Sequence, residues 1–179
     1  MNLRSTIDAR LGWKWVNGAV DEDNLTFKEV LANGFDDNEA EIVWHLEDEA
    51  LVNGASTTWD LTALTRDILG DDHESTLGSV KAILVISAST SVGTLIVGAA
   101  DYDVWWAPFD SETGTVEVPP DSPLLLVNRQ GGWEVTKELS SSSSSGESGA
   151  DRMLKVTASG GAVTYSIAII GTQWSSSGA

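Results

Sequence analysis

The chain has 179 residues, 41% of them hydrophobic, with 17 glycines, 8 tryptophans and a formal charge of −17 from 27 acidic against 10 basic side chains. That length supports one well-cored domain, and so acidic a surface argues against a phosphate backbone or an anionic membrane as partner. The absence of cysteine removes disulfide scaffolds, zinc–thiolate sites and thiol nucleophiles.

The opening ten residues, Met1 to Arg10, hold no apolar signal-peptide core. The expectation is synthesis in a cytoplasm, with lysis or particle assembly as the way out. Three Asn-Gly pairs follow, Asn17-Gly18, Asn33-Gly34 and Asn53-Gly54. Asn-Gly suits turns with φ > 0, so each predicts a corner. Between the corners lie alternating runs: Leu11–Val16 with Leu11, Trp13 and Trp15; Leu25–Leu31 with Leu25 and Phe27; Ile42–Leu46 with Ile42, Trp44 and Leu46; and Thr57–Leu61 with Trp59 and Leu61. Period two with polar residues between predicts strands wet on one side.

Leu61, Leu64 and Ile68 are spaced for one face of a short helix ended by Gly70, and Gly70–Ser75 reads as an acidic loop. From Ala82 to Ala100 there is no charge, a length that could cross a bilayer. Its middle, Ser87–Thr94, is small and polar, and hydroxyls without partners are costly at bilayer depth. The stretch is therefore expected to be two buried strands, Val80–Ile86 and Leu95–Val97, joined by a turn at Ser89–Gly93. Being apolar on both faces, this hairpin should be the middle of the core.

Beyond it, Ala100–Asp110 carries Tyr102, Trp105, Trp106 and Phe109 and is expected to be an aromatic loop or edge. Val116–Val118, stopped by Pro119-Pro120, Leu124–Val127 and Trp133–Val135 are short strands. Ser140–Ser145 is a run of six serines and reads as a flexible loop or insertion. Met153–Thr157 and Val163–Ile169 flank Gly160-Gly161, a strong hairpin pattern. Trp174 and a short tail close the chain.

Nine or ten short strands at this spacing predict an all-β fold with at most one short helix, an antiparallel β-sandwich of jelly-roll type. Residues 1–60 form N-terminal strands or an arm packed on the core. Residues 61–174 form the sandwich, with a Ser/Gly-rich loop at 140–149 and a tail at 175–179, all within a single domain.

The catalytic signals are thin. A Ser–His–acid hydrolase needs a base beside an activated serine. The two histidines are His45, on the polar face of an alternating run, and His73, in an acidic turn. A carboxylate-pair glycosidase has no positive signal among so many acids. No phosphate-cradling glycine loop precedes a helix. Acid clusters such as Asp36-Asp37-Asn38-Glu39 and Asp101-x-Asp103 leave a structural calcium ion open, although none follows the EF-hand pattern. No other cofactor is expected. Tyr102, Trp105, Trp106 and Phe109 are the candidate interaction surface. They suit a sugar-stacking platform, a plug at the end of the sandwich, or a subunit interface.

The stretches Asp60–Thr65, Val80–Ile86, Val97–Ala100, Pro120–Leu126, Gly132–Thr136 and Thr164–Thr172 resemble small uncharacterised proteins of tailed-bacteriophage and prophage genomes. The resemblance covers mainly residues 60–172 and lies in phrasing along strands; the serine run departs from it. It implies a virion structural protein of the capsid-decoration, head-fibre or tail-accessory kind, with no catalytic residues to carry over. It also implies capsid or other virion proteins as partners, and a homo-oligomer, for instance a trimer. A carbohydrate- or receptor-binding β-sandwich module is the alternative.

Overall fold

The computed structural model describes residues 3–16, 20–68, 71–136 and 151–173. The Asn17-Gly18 corner, Gly70, the serine run and Trp174 with its tail lie outside them. The described residues form strands and loops and contain no helix. In particular, no helix is long and apolar enough to cross a membrane.

β1 (Ser5–Val16) and β2 (Val20–Leu31) pair antiparallel along their whole length, from Val16↔Val20 to Ser5↔Leu31. They form a two-stranded sheet of their own. Five strands make a second sheet: β3 (Ile42–Leu51), β7 (Leu77–Ser87), β10 (Ser122–Val127), β11 (Trp133–Glu134) and β13 (Val163–Gln173). Four make a third: β4 (Ser56–Asp60), β8 (Thr94–Gly98), β9 (Thr115–Val118) and β12 (Met153–Ser159). The remaining pair, β5 (Leu64–Ile68) and β6 (Asp71–Ser75), is a small hairpin. The five-stranded sheet runs β10-β7-β13-β3, with β11 also beside β7; the four-stranded sheet runs β4-β12-β8-β9. Every strand pairing is antiparallel.

These two sheets close on one core, which makes the fold sandwich-like. Alternation decides what enters it. On β13, Val163, Tyr165, Ile167 and Ile169 are buried while Thr164, Ser166, Ala168 and Ile170 face outward. They meet Leu154, Val156 and Ala158 of β12 and Leu95 and Val97 of β8 from the opposite sheet. Trp44 stands edge-on to Trp59, and Trp59 to Tyr165, which bridges the sheets with aromatic contacts.

Both expected hairpins of the second half are corrected. Val80–Ile86 lies in β7 and Leu95–Val97 in β8, yet the two strands belong to different sheets. β7 pairs instead with β10, β11 and β13, and β8 with β9 and β12. The strands flanking Gly160-Gly161 likewise part, β12 to one sheet and β13 to the other. The glycines mark arches that carry the chain across the core. The two arches touch: Val92 and Gly93 both donate their amides to Ala162 O, at 2.9 and 3.1 Å. A Cβ on Gly93 would stand 2.4 Å from Gly161 O and 2.6 Å from Gly161 N, so only glycine fits.

The helix expected from Leu61 to Gly70 is also corrected. Asp60 Oδ1 accepts bonds from the Thr62 amide and hydroxyl, at 2.8 and 2.6 Å, which fixes a turn. β5 then begins at Leu64. The buried Leu61 and Leu64 enter the core from a turn and a strand, which imitates helical spacing. A single isolated turn of helix could not offset its own nucleation. The acidic stretch after Gly70 is β6. Finally, the expected boundary at residue 60 falls inside the sandwich, since β3 and β4 are strands of its two sheets. The separate N-terminal piece is the β1–β2 hairpin.

Candidate interaction surface

The aromatic loop between β8 and β9 divides into two pairs. Trp105 is fully buried and Phe109 nearly so. The Trp105 indole donates to Glu134 O at 2.9 Å and stands edge-on to Phe109 and Trp133. These two residues fill the end of the core and cannot meet a ligand face. Tyr102 and Trp106 remain at the surface, 62% and 38% exposed. The loop is tied down by its acids: Asp103 pairs with Arg152 at 3.3 Å, and Asp101 with Lys155 at 2.9 Å. Arg152 also lies 3.2 Å from Asp60. The Asp101-x-Asp103 pair is thus committed to cations of the chain itself.

A larger apolar surface lies elsewhere. The outer face of the four-stranded sheet is mainly polar, with Ser56, Thr58, Thr115, Glu117, Lys155 and Thr157 around a partly exposed Ile96. The outer face of the five-stranded sheet is apolar. It presents Val43 of β3, Ala82, Leu84 and Ile86 of β7, Leu125 and Val127 of β10, and Ala168 and Ile170 of β13. An antiparallel sheet with one wet face is the ordinary case; here the wet face is the wrong chemistry for water.

The β1–β2 hairpin covers one end of that face. Residues opposite each other in the register share a side: Ala9 faces Phe27 and Leu11 faces Leu25, while Ile7 faces Glu29 and Trp13 faces Asp23, so the stripe is apolar along its middle with an acid at either end. The other side is polar and carries the Lys14–Glu22 and Lys28–Asp8 ion pairs. At the base, Ile7 and Leu31 are buried against Ala40 and Ala82, with Val127 and Ile170 packed alongside. Toward the tip the same stripe is bare: Leu11 is 68% exposed, Leu25 70%, Trp13 43% and Phe27 40%.

The base is clamped at its edges. Arg129 pairs with Glu29 at 2.9 Å and lies over the Phe27 ring at 6.0 Å. Lys81 has no opposite residue in the β7–β13 register, which passes from Ile170↔Ala82 to Gly171↔Val80. This bulge turns the lysine toward the hairpin base, where its ammonium is 3.5 Å from Asp36 O and Gln130 O and almost wholly buried. Burial pulls its pKa below 10.5, while Asp37, Asp36 and Glu39 push it back up.

Beyond the base, the bare sheet face forms a shallow groove of about 240 Å³ lined by Val43, Leu84, Ile86 and Ala168, with His45, Glu47 and Ser166 at its rim. His45 Nδ1 is 3.6 Å from Glu47 Oε1. The Ser166 hydroxyl accepts the Asp48 amide at 3.2 Å and has no bond to His45, so the three do not form a relay. Among the described residues, no three His, Asp or Glu side chains converge as a metal site would require. The side chain of His73 lies outside the described set. Compared with known proteins, the chain matches no family model, no curated protein and no solved structure.

Val80–Ile86 is apolar at both parities, which predicts a strand covered on both faces; in the structure one face packs in the core, while the other is left partly bare at Ile86 and at Leu125 of β10.

Proposed function

We propose that this is a protein that works by contact, and more particularly a structural component of a tailed-bacteriophage virion, of the capsid-decoration or accessory kind. The observation that carries the reading is the amphipathic β1–β2 arm. Its apolar stripe runs off the body with Leu11, Trp13, Leu25 and Phe27 uncovered, and large exposed apolar patches on soluble folds mark interaction sites. The resemblance of residues 60–172 to phage and prophage proteins supplies the virion. An acidic surface suits the outside of a particle, away from the packaged genome.

In this reading the sandwich is a jelly roll, which the strand order supports. Taken in sequence, β3, β4, β7, β8, β9, β10, β12 and β13 form one sheet of the first, eighth, third and sixth strands. The second, seventh, fourth and fifth form the other. That is one long antiparallel hairpin folded over on itself. The protein self-associates and binds capsid or other virion proteins, with no cofactor in its action. Purified protein mixed with undecorated particles is expected to bind them, and mass spectrometry to find it in purified virions; failure of both removes the virion assignment.

A second reading rests on Tyr102 and Trp106, whose exposed rings suit stacking on a sugar face. A glycan array is expected to show binding that is lost in Tyr102→Ala/Trp106→Ala. Binding unchanged by both substitutions would take those residues out of the site.

A further inference from the structure

We propose that the uncovered face of the five-stranded sheet receives the distal half of the β1–β2 arm from a second copy of this chain. The proposal rests on the reading of the protein as one that works by contact, and it names the partner.

Continuity is the first argument. Within one chain, the apolar stripe of the arm already packs on this face, Ile7 and Leu31 against Ala82, Val127 and Ile170. A cleft of about 280 Å³, lined on the arm by Ile7 between Thr6 and Asp8 and on the sheet by Ala82, Leu84, Leu125 and Ala168, joins that contact to the bare part of the face. The next side chains of the stripe, Leu11, Trp13 and Leu25, repeat the chemistry of Ile7 and Leu31. The next side chains of the face, Leu84, Ile86 and Val43, repeat that of Ala82 and Ile170. The arm's own distal half leaves this surface uncovered: Leu11 and Leu25 are about two-thirds exposed and Ile86 is 44% exposed.

Charge selects which part of a neighbour can approach. Residues 1–31 hold four basic and five acidic side chains, and residues 32–179 hold six and 22. Two sandwich bodies repel each other, whereas the nearly neutral arm approaches a body at little electrostatic cost.

Size agrees. The exposed surface of Leu11, Trp13, Leu25 and Phe27 is on the order of 400 Å². If each copy gives one arm and offers one face of similar area, an exchange between two copies buries on the order of 1,600 Å², a standard specific interface. From Leu11 to the Val16↔Val20 pair the arm reaches about 17 Å, enough to cross three strands of the bare face.

The experiment uses the full chain. Sedimentation velocity is expected to show a discrete oligomer for the native protein. Leu11→Glu/Leu25→Glu and Ile86→Glu alter exposed side chains and are each expected to give monomers with unchanged circular dichroism and Tm. Mixing the two variants restores a 1:1 complex, since one keeps its face and the other its arm. The chain has no cysteine, so Leu25→Cys mixed with Ile86→Cys is expected to form a disulfide-linked heterodimer. A monomeric native protein, or an oligomer that survives both glutamate variants, overturns the proposal. So does cross-linking of Leu25→Cys only to itself, which would mean arm pairing with arm. A monomer that still binds particles defeats the exchange alone. An arm-dependent oligomer that binds none defeats the virion assignment alone.

Discussion

Replacing Trp105 by alanine separates the structural half of the aromatic loop from its surface half. The indole is fully buried, touches Phe109 and Trp133 edge-on, and satisfies Glu134 O at 2.9 Å. Truncating a buried tryptophan costs about 3–5 kcal/mol through lost transfer energy and the cavity left behind. Glu134 is exposed, so water can replace the lost indole donor and that loss adds little. For a chain of this size, each kcal/mol lowers Tm by about 2–4 °C, so Trp105→Ala should melt about 10–20 °C below the native protein. Trp106→Ala, at a residue 38% exposed, should stay within about 1 kcal/mol. Calorimetry and urea unfolding followed by circular dichroism measure both. A loss under about 1 kcal/mol for Trp105→Ala, or an equal loss for Trp106→Ala, would refute the division of the loop.

Gly93→Ala drives a methyl into Gly161 O and N, and is expected to cost about 2–3 kcal/mol. Gly131→Ala, whose added Cβ meets nothing within 4 Å, should be neutral within about 0.5 kcal/mol in the same melts. Burial raises the pKa of Tyr165 from 10.0 to about 12, against the pull of a hydrogen bond with Thr57 and with a smaller push from Glu49. The unfolded chain therefore loses this proton first as pH rises. The contribution of Tyr165 is intact below pH 10 and lost between pH 10 and about 12, by about 2–3 kcal/mol. Tyr165→Phe should flatten that decline in pH-dependent unfolding curves. Arg129→Ala removes the clamp on Glu29 and Phe27. Hydrogen exchange should quicken across β1 and β2, while global stability changes by less than about 1 kcal/mol.

The elements were legible where side-chain alternation is strict. Ile42, Trp44 and Leu46 point inward on β3, and Val163 through Ile169 alternate on β13, as their spacing requires. The arm was legible in part, because Leu11, Trp13, Leu25 and Phe27 fall on one parity of two adjacent runs. The fate of the aromatic loop was not. Trp105 and Trp106 are neighbours of the same type, and only the position of Glu134 and Phe109 sends one inward and leaves the other at the surface.

That the chain is a β protein, where most of its strands lie and where the glycine corners fall could be read from the residues alone; β5 and β6, expected as a helix and a loop, could not. Local sterics and burial fix the legible features within a few residues. Which strands are partners is settled by long-range packing. A Gly-Gly corner between two alternating runs serves a hairpin and an arch equally well. The choice between them depends on whether a distant strand, β13 for β7 or β12 for β8, takes up the free edge. The same choice leaves one apolar sheet face uncovered and sets the arm beside it, a property that no single strand carries.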